Sequence, residues 1–144
     1  MVIIAGCLIV RNNKVLMVRE AKKKCYGQWN GHVDELEKIT DAAIREVLEE
    51  TGCKVKLTGV LPICTATGKN GERLMVRFTA DIIEENIKFD TEEILDVKWI
   101  DIEDVKNMKR EELRGYDISI HFIKDFEENK IYPLEIFNNT IYAI

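Results

Sequence analysis

The chain is read as an α+β domain, strands and helices interleaved over residues 1–144, on three observations. Two apolar, β-branched runs at Val2 to Val10 and Lys14 to Arg19 flank an Asn12-Asn13 pair. A Gly- and Pro-free amphipathic stretch covers Ile39 to Thr51, and a longer helical pattern runs from near Glu111 to about Glu128. Strand-type and helix-type periodicities therefore alternate along one chain.

Asn12-Asn13 tolerates the positive φ of a tight turn, so the first two runs are expected to pair antiparallel. Glu20 to Cys25, EAKKKC, is a basic loop whose Lys22, Lys23 and Lys24 either draw in an anion or simply stay solvated. Ile39 to Thr51 places Ile44, Val47, Leu48 and Thr51 on one side and Glu46, Glu49 and Glu50 on the other. Thr40 or Asp41 is expected to cap it, and Gly52 to stop it in a left-handed conformation.

Beyond Gly52, Cys53 to Ala66 is strand-like but broken at Gly59 and Pro62, and Gly68 to Gly71 turns the chain into Arg73 to Ile83. There Leu74, Val76, Phe78 and Ala80 alternate with Met75, Arg77, Thr79 and Asp81, which predicts one packed face. The acidic loop Glu84 to Glu93 leads to a strand at Ile94 to Ile100. Asp101 is placed to cap a short helix to about Met108, and Ile118, Phe122, Ile123 and Phe126 form the apolar stripe of the last helix. Pro133 is expected to keep the tail KIYPLEIF extended.

A length of 144 residues suits one domain, and 46% hydrophobic with 33% charged residues is ordinary globular composition. The apolar MVIIAGCLIV start is too short to span a membrane, lacks a basic leader, and is expected to be a buried strand rather than a signal peptide. A net charge of -5 argues against nucleic acid as the partner, since such binding needs clustered Lys and Arg. Four scattered cysteines, Cys7, Cys25, Cys53 and Cys64, with two histidines, fit neither zinc spacing nor a disulfide framework. Reduced thiols in a cytoplasmic protein, monomer or homodimer, are expected.

Carboxylates three and four apart on a helix repel. Glu46, Glu49 and Glu50, with Arg45 as partial relief, suggest either a solvated acidic face or a site for a hard divalent cation such as Mg2+ or Mn2+, which prefers oxygen ligands.

Gly31, Glu37, then Arg45-Glu46-Val47-Leu48-Glu49-Glu50-Thr51-Gly52-Cys53 fit the pattern G-x5-E-x7-R-E-U-x-E-E-x-G-U, U apolar, at nine constrained positions within 23 residues. In this the chain resembles the MutT-like Nudix hydrolases. The resemblance implies a mixed β-sheet sandwiched between helices, with the glutamate-bearing helix on one face and the C-terminal helix on the other. It also implies hydrolysis of a phosphoanhydride in a nucleoside di- or triphosphate or a related organic pyrophosphate. Glu46, Glu49 and Glu50 become the ligands of Mg2+ (or Mn2+), with the Asn30 carbonyl as a further ligand, and Gly31, Glu37 and Gly52 shape the loop and helix. Arg45, Glu49 and Glu50 are catalytic by position, and Glu93, ahead of Glu92, is the candidate general base. Arg77, Tyr26, Trp29 and His32 are candidates for contacting substrate.

The chain departs from many members in reading Trp29-Asn30-Gly31 where they read Pro-Gly-Gly, and in carrying Leu36 in place of a flexible glycine. Gly31-His32, Trp99 and the Tyr132 to Glu135 tail are similar to a phosphatase subgroup acting on nucleoside di- and triphosphates and thiamine-type pyrophosphates. The competing readings are cleavage of ADP-ribose or a dinucleotide, and a binding module without turnover.

Overall fold

Val2–Leu8, Lys14–Glu20 and the middle of Gly71–Glu84 bury residues on both faces, whereas Lys54–Val60 alternates buried with exposed residues. The computed structural model describes residues 1–27, 29–69, 71–137 and 141, with residue 29 described by its backbone. A five-stranded mixed sheet is built from β1 (Val2–Leu8), β5 (Trp29–His32), β6 (Lys54–Val60), β7 (Cys64–Gly68) and β8 (Gly71–Glu84), in the order β5-β1-β8-β6, with β7 also paired to β8. Only β1 and β8 run parallel. A second sheet joins β2 (Val10–Arg11), β3 (Lys14–Glu20), β4 (Tyr26–Gly27) and β9 (Ile94–Asp101).

The helices α1 (Ile39–Thr51), α2 (Ile102–Lys106) and α3 (Tyr116–Glu127) complete the architecture. Ala42, Ala43 and Val47 of α1 join Ala5, Cys7, Val76, Phe78 and Ala80 in one core cluster. Phe122 and Ile123 of α3 join Ile4, Leu8, Met75 and Leu61 in another. Ile4 and Ala5 are neighbours in sequence yet belong to opposite clusters, as the period of two along a strand demands. The expected α+β sandwich, with α1 on one face and α3 on the other, is therefore present, although its strands divide into two sheets.

Some expectations are corrected. Asn12 and Asn13 do adopt φ of 52° and 61°, but the hairpin they close pairs only Val10-Arg11 with Lys14-Val15. β1 pairs with β5 and β8 instead, because the chain changes sheets at Ile9. The strand of Arg77 is packed on both faces: Arg77 is 2% exposed and Met75 4%, since a helix covers each side. In α1, Leu48 is 42% exposed and leaves the apolar stripe, which is completed by Ala42 and Ala43.

Lys38, not Thr40 or Asp41, occupies the N-cap of α1 and makes no side-chain cap bond, because the helix already begins at Ile39. Gly52 ends the helix at φ 81°. A β-carbon there would also strike the Asn86 carbonyl of the loop that crosses the helix end. Pro133 starts a single 3-10 turn at Leu134–Ile136 rather than extended chain, which is permitted because a first-turn residue needs no N–H partner. That tail docks on the sheet through reciprocal Val60 and Tyr132 backbone bonds of 3.0 and 2.8 Å.

Candidate active site

Gly31 is placed by β5, where it pairs with Ala5 of β1, and the chain then loops through residues 33–38 into α1. Arg45, one and a half turns into α1, reaches back over that loop. Its Nε and Nη2 donate to both oxygens of Glu37 at 2.7 and 3.0 Å, and Nη2 also donates to the His32 carbonyl at 3.0 Å. A bidentate fork of this kind fixes orientation as well as distance. It ties loop to helix, and the Arg45 guanidinium holds Glu37 below the usual carboxylate range. Glu37 in turn accepts the Asp34 N–H at 3.0 Å.

Arg45 Nη1 also donates to Glu46 at 2.9 Å and Glu49 at 3.2 Å. Glu46 is pressed against the α-carbon of Gly31, so closely that a β-carbon at that position would overlap the carboxylate. Burial pushes Glu46 upward in pKa despite the neighbouring guanidinium. Glu50 is raised further, to about 8, first by burial and then by the charges of Glu46, Glu49 and Glu93. Its Oε2 is buried without a hydrogen-bond partner.

A buried carboxylate oxygen without a donor, within the field of three other carboxylates, is an unfavourable arrangement that a cation would offset. Glu46, Glu49 and Glu50 supply hard oxygen donors, the set that suits Mg2+ or Mn2+. Among the described residues no three His, Cys, Asp or Glu side chains converge at ligand geometry, and Arg45 takes one oxygen each from Glu46 and Glu49.

Glu93, in the turn before β9, carries its charge close enough to raise Glu50. Its backbone is pinned by the Ala21 N–H bonding to its carbonyl at 2.8 Å and by its own N–H bonding to Asp90 at 3.1 Å. Thus a residue 43 positions downstream of Glu50 meets it through the β3–β9 pairing.

On the other side of Gly31 opens a cleft of about 400 Å3 lined by Asn30, Gly31, His32, Lys23, Arg73, Arg77, Arg114 and Ser119, among others. Four of the predicted site residues, Asn30, Gly31, His32 and Arg77, thus share one cavity. Arg77 is buried, its guanidinium lies 4.6 Å from the Phe122 ring centroid, and burial lowers its pKa to about 10. Tyr26 lies apart from the cleft lining, packed in the α3-side cluster with Arg19 and Lys98 over its ring. The Trp29 side chain lies outside the described residues.

Arg73, Arg114 and Ser119 were not singled out from sequence. Arg73 was legible, because it shares a strand face with Arg77 four residues on. Arg114, ion-paired with Glu20 and with its N–H bonded to the Tyr26 carbonyl at 2.7 Å, is brought in only by tertiary packing. No helix among the described residues is long and apolar enough to cross a membrane.

The family model described as the NUDIX domain matches residues 2–123. A putative nudix hydrolase 1 of Caenorhabditis elegans is 34% identical over 137 residues, 90% of this chain and 35% of that protein. An 8-oxo-dGDP phosphatase NUDT18 of Danio rerio is 47% identical over 53 residues, 34% of this chain and 16% of that protein. The chain thus spans about a third or less of the length of these two relatives. A solved NUDIX hydrolase from Nitrosomonas europaea superposes with a TM-score of 0.86 at 26% identity, covering 96% of each chain. With the glutamates, Gly31 and Arg45 placed as described, the chain belongs to the Nudix family.

Proposed function

We propose that this domain hydrolyses a phosphoanhydride bond in a nucleoside di- or triphosphate or related organic pyrophosphate, dependent on Mg2+ or Mn2+. The observation that carries this reading is the buried, unpartnered Glu50 oxygen, in the field of Glu46, Glu49 and Glu93. A divalent cation held by those carboxylates supplies positive charge to phosphate oxygens and makes a nearby water more acidic.

The remaining work falls to the chain's own side chains. Glu93 accepts the proton of the attacking water, a role suited to an exposed carboxylate beside the cluster. Arg45 fixes loop and helix so that Glu46 and Gly31 keep their spacing, and the cationic cleft beyond Gly31 orients the anionic substrate. The zebrafish relative, named as a phosphatase of a nucleoside diphosphate, supports the nucleotide reading, and the four unpaired cysteines support a reducing, cytoplasmic setting.

Glu50→Gln keeps the shape and removes the charge. Its kcat at saturating Mg2+ is expected to fall by about 10^2 or more, with phosphate or pyrophosphate release followed by 31P NMR. Release of two organic monophosphates would favour ADP-ribose or dinucleotide cleavage, and nucleotide binding without any product would mark a binding module.

A further inference from the structure

The cleft beyond Gly31 has a charge pattern that the carboxylate cluster does not explain. Lys23, Arg73, Arg77 and Arg114 line it, and no Asp or Glu is among its lining residues. Arg77 is sunk under Phe122, and Arg114 is held by Glu20. Arg73 is placed differently: its Nε is buried without a hydrogen-bond partner. It also walls a second cavity of about 410 Å3, shared with Thr65, Thr67, Tyr116, His121 and Asp117, whose carboxylate is paired with Arg110. A guanidinium N–H removed from water without an acceptor is costly, and its planar fork matches a phosphate.

The strand register fixes how far Arg73 lies from the reacting centre. Gly31 is opposite Ala5, and Ala5 is opposite Val76. Arg73 is therefore two strands over and three residues along, roughly 10 Å in each direction from the spacing and rise of strands, and its odd offset from Val76 puts it on the α3 face with Met75 and Arg77, across the sheet from α1. The scissile diphosphate must sit within reach of Glu46 and Glu50. An acceptor at Arg73 therefore belongs to the part of the substrate beyond the diphosphate.

We infer that the organic moiety of the substrate carries a second anionic group, a phosphate monoester, seated on Arg73 between the two cavities with Lys23 at the mouth. This rests on the proposed phosphoanhydride hydrolysis and narrows it: organic diphosphates with a separate phosphate are preferred over otherwise identical ones without it.

The test compares adenosine 3'-phosphate 5'-diphosphate with adenosine 5'-diphosphate under Mg2+. The ratio of their kcat/KM values is expected to be about tenfold to a hundredfold, as for a charge-assisted hydrogen bond. Arg73→Gln should bring the ratio close to one, and Arg73→Lys should keep part of it. Lys23→Gln, on an exposed loop where folding is not at stake, should lower it several-fold. Independently, ribose 5-phosphate should bind the metal-free protein, with its 31P line broadened in the wild type and sharp in Arg73→Gln. Equal kcat/KM values, or a ratio untouched by Arg73→Gln, overturn the inference and leave the hydrolase reading standing. Ribose 5-phosphate binding through Arg73 with no hydrolysis of either nucleotide, nor of any nucleoside triphosphate or organic pyrophosphate under Mg2+ or Mn2+, overturns the hydrolase reading and leaves the anion site.

Discussion

The α-carbon of Gly31 on β5 and the carboxylate of Glu46 on α1 are in direct contact, leaving no room for even a methyl group between strand and helix. Gly31→Ala must therefore displace Glu46. Overpacking of this kind costs about 1 to 3 kcal/mol, and the larger effect is expected on function: weaker Mg2+ binding by calorimetry and at least a tenfold lower kcat. Wild-type Mg2+ affinity in this variant would refute a role for Glu46 as a ligand.

Metal-free stability should depend on pH through Glu50. Its ordinary value is 4.5 and its folded value about 8, so between these the folded state binds more protons than the unfolded state. Stability from this group is complete below about pH 4.5 and is lost as pH rises towards 8. Glu46, also raised, acts in the same sense, whereas Glu37, lowered, loses its contribution only below its ordinary value. Thermal melts in EDTA should therefore show Tm falling from pH 5 to 8, with a flatter profile for Glu50→Gln and recovery on adding Mg2+. A Tm that rises over that range would contradict the burial of this carboxylate.

Glu93 is exposed at the end of its loop, so its substitution touches little packing. Glu93→Gln is expected to lower kcat by about 10^2 to 10^4, the usual range for a general base, while Tm moves by no more than a few degrees. Glu92→Gln should lose less, because it is Glu93 whose charge reaches Glu50. Equal losses for the two would remove Glu93 from its role.

Leu36 holds φ at 64° and is fully exposed. A left-handed conformation costs a non-glycine residue about 1 to 2 kcal/mol, against about 0.5 to 1 kcal/mol of extra chain entropy for glycine. Leu36→Gly should thus raise stability by about 0.5 kcal/mol in urea unfolding. Leu36→Ala, which keeps a β-carbon, should not. A loss on introducing glycine would mean that Leu36 makes a contact that offsets its strain.

The residue order was enough to mark α1 from Ile39 to Thr51, the left-handed stop at Gly52 and the glutamates of the cluster, because helical period, caps and fixed offsets are properties of neighbours in the chain. It also gave the positive φ at Asn12-Asn13. It did not give the pairing of β1 with β8 across some seventy residues. Nor did it reveal that Arg77 would be buried rather than at the surface, or that Arg114 and Lys23 would meet Arg73 around one cleft. Those depend on which strands lie side by side and which helix covers them. Contacts between distant segments are fixed by the burial of whole faces, and no local pattern records which distant face will do the burying.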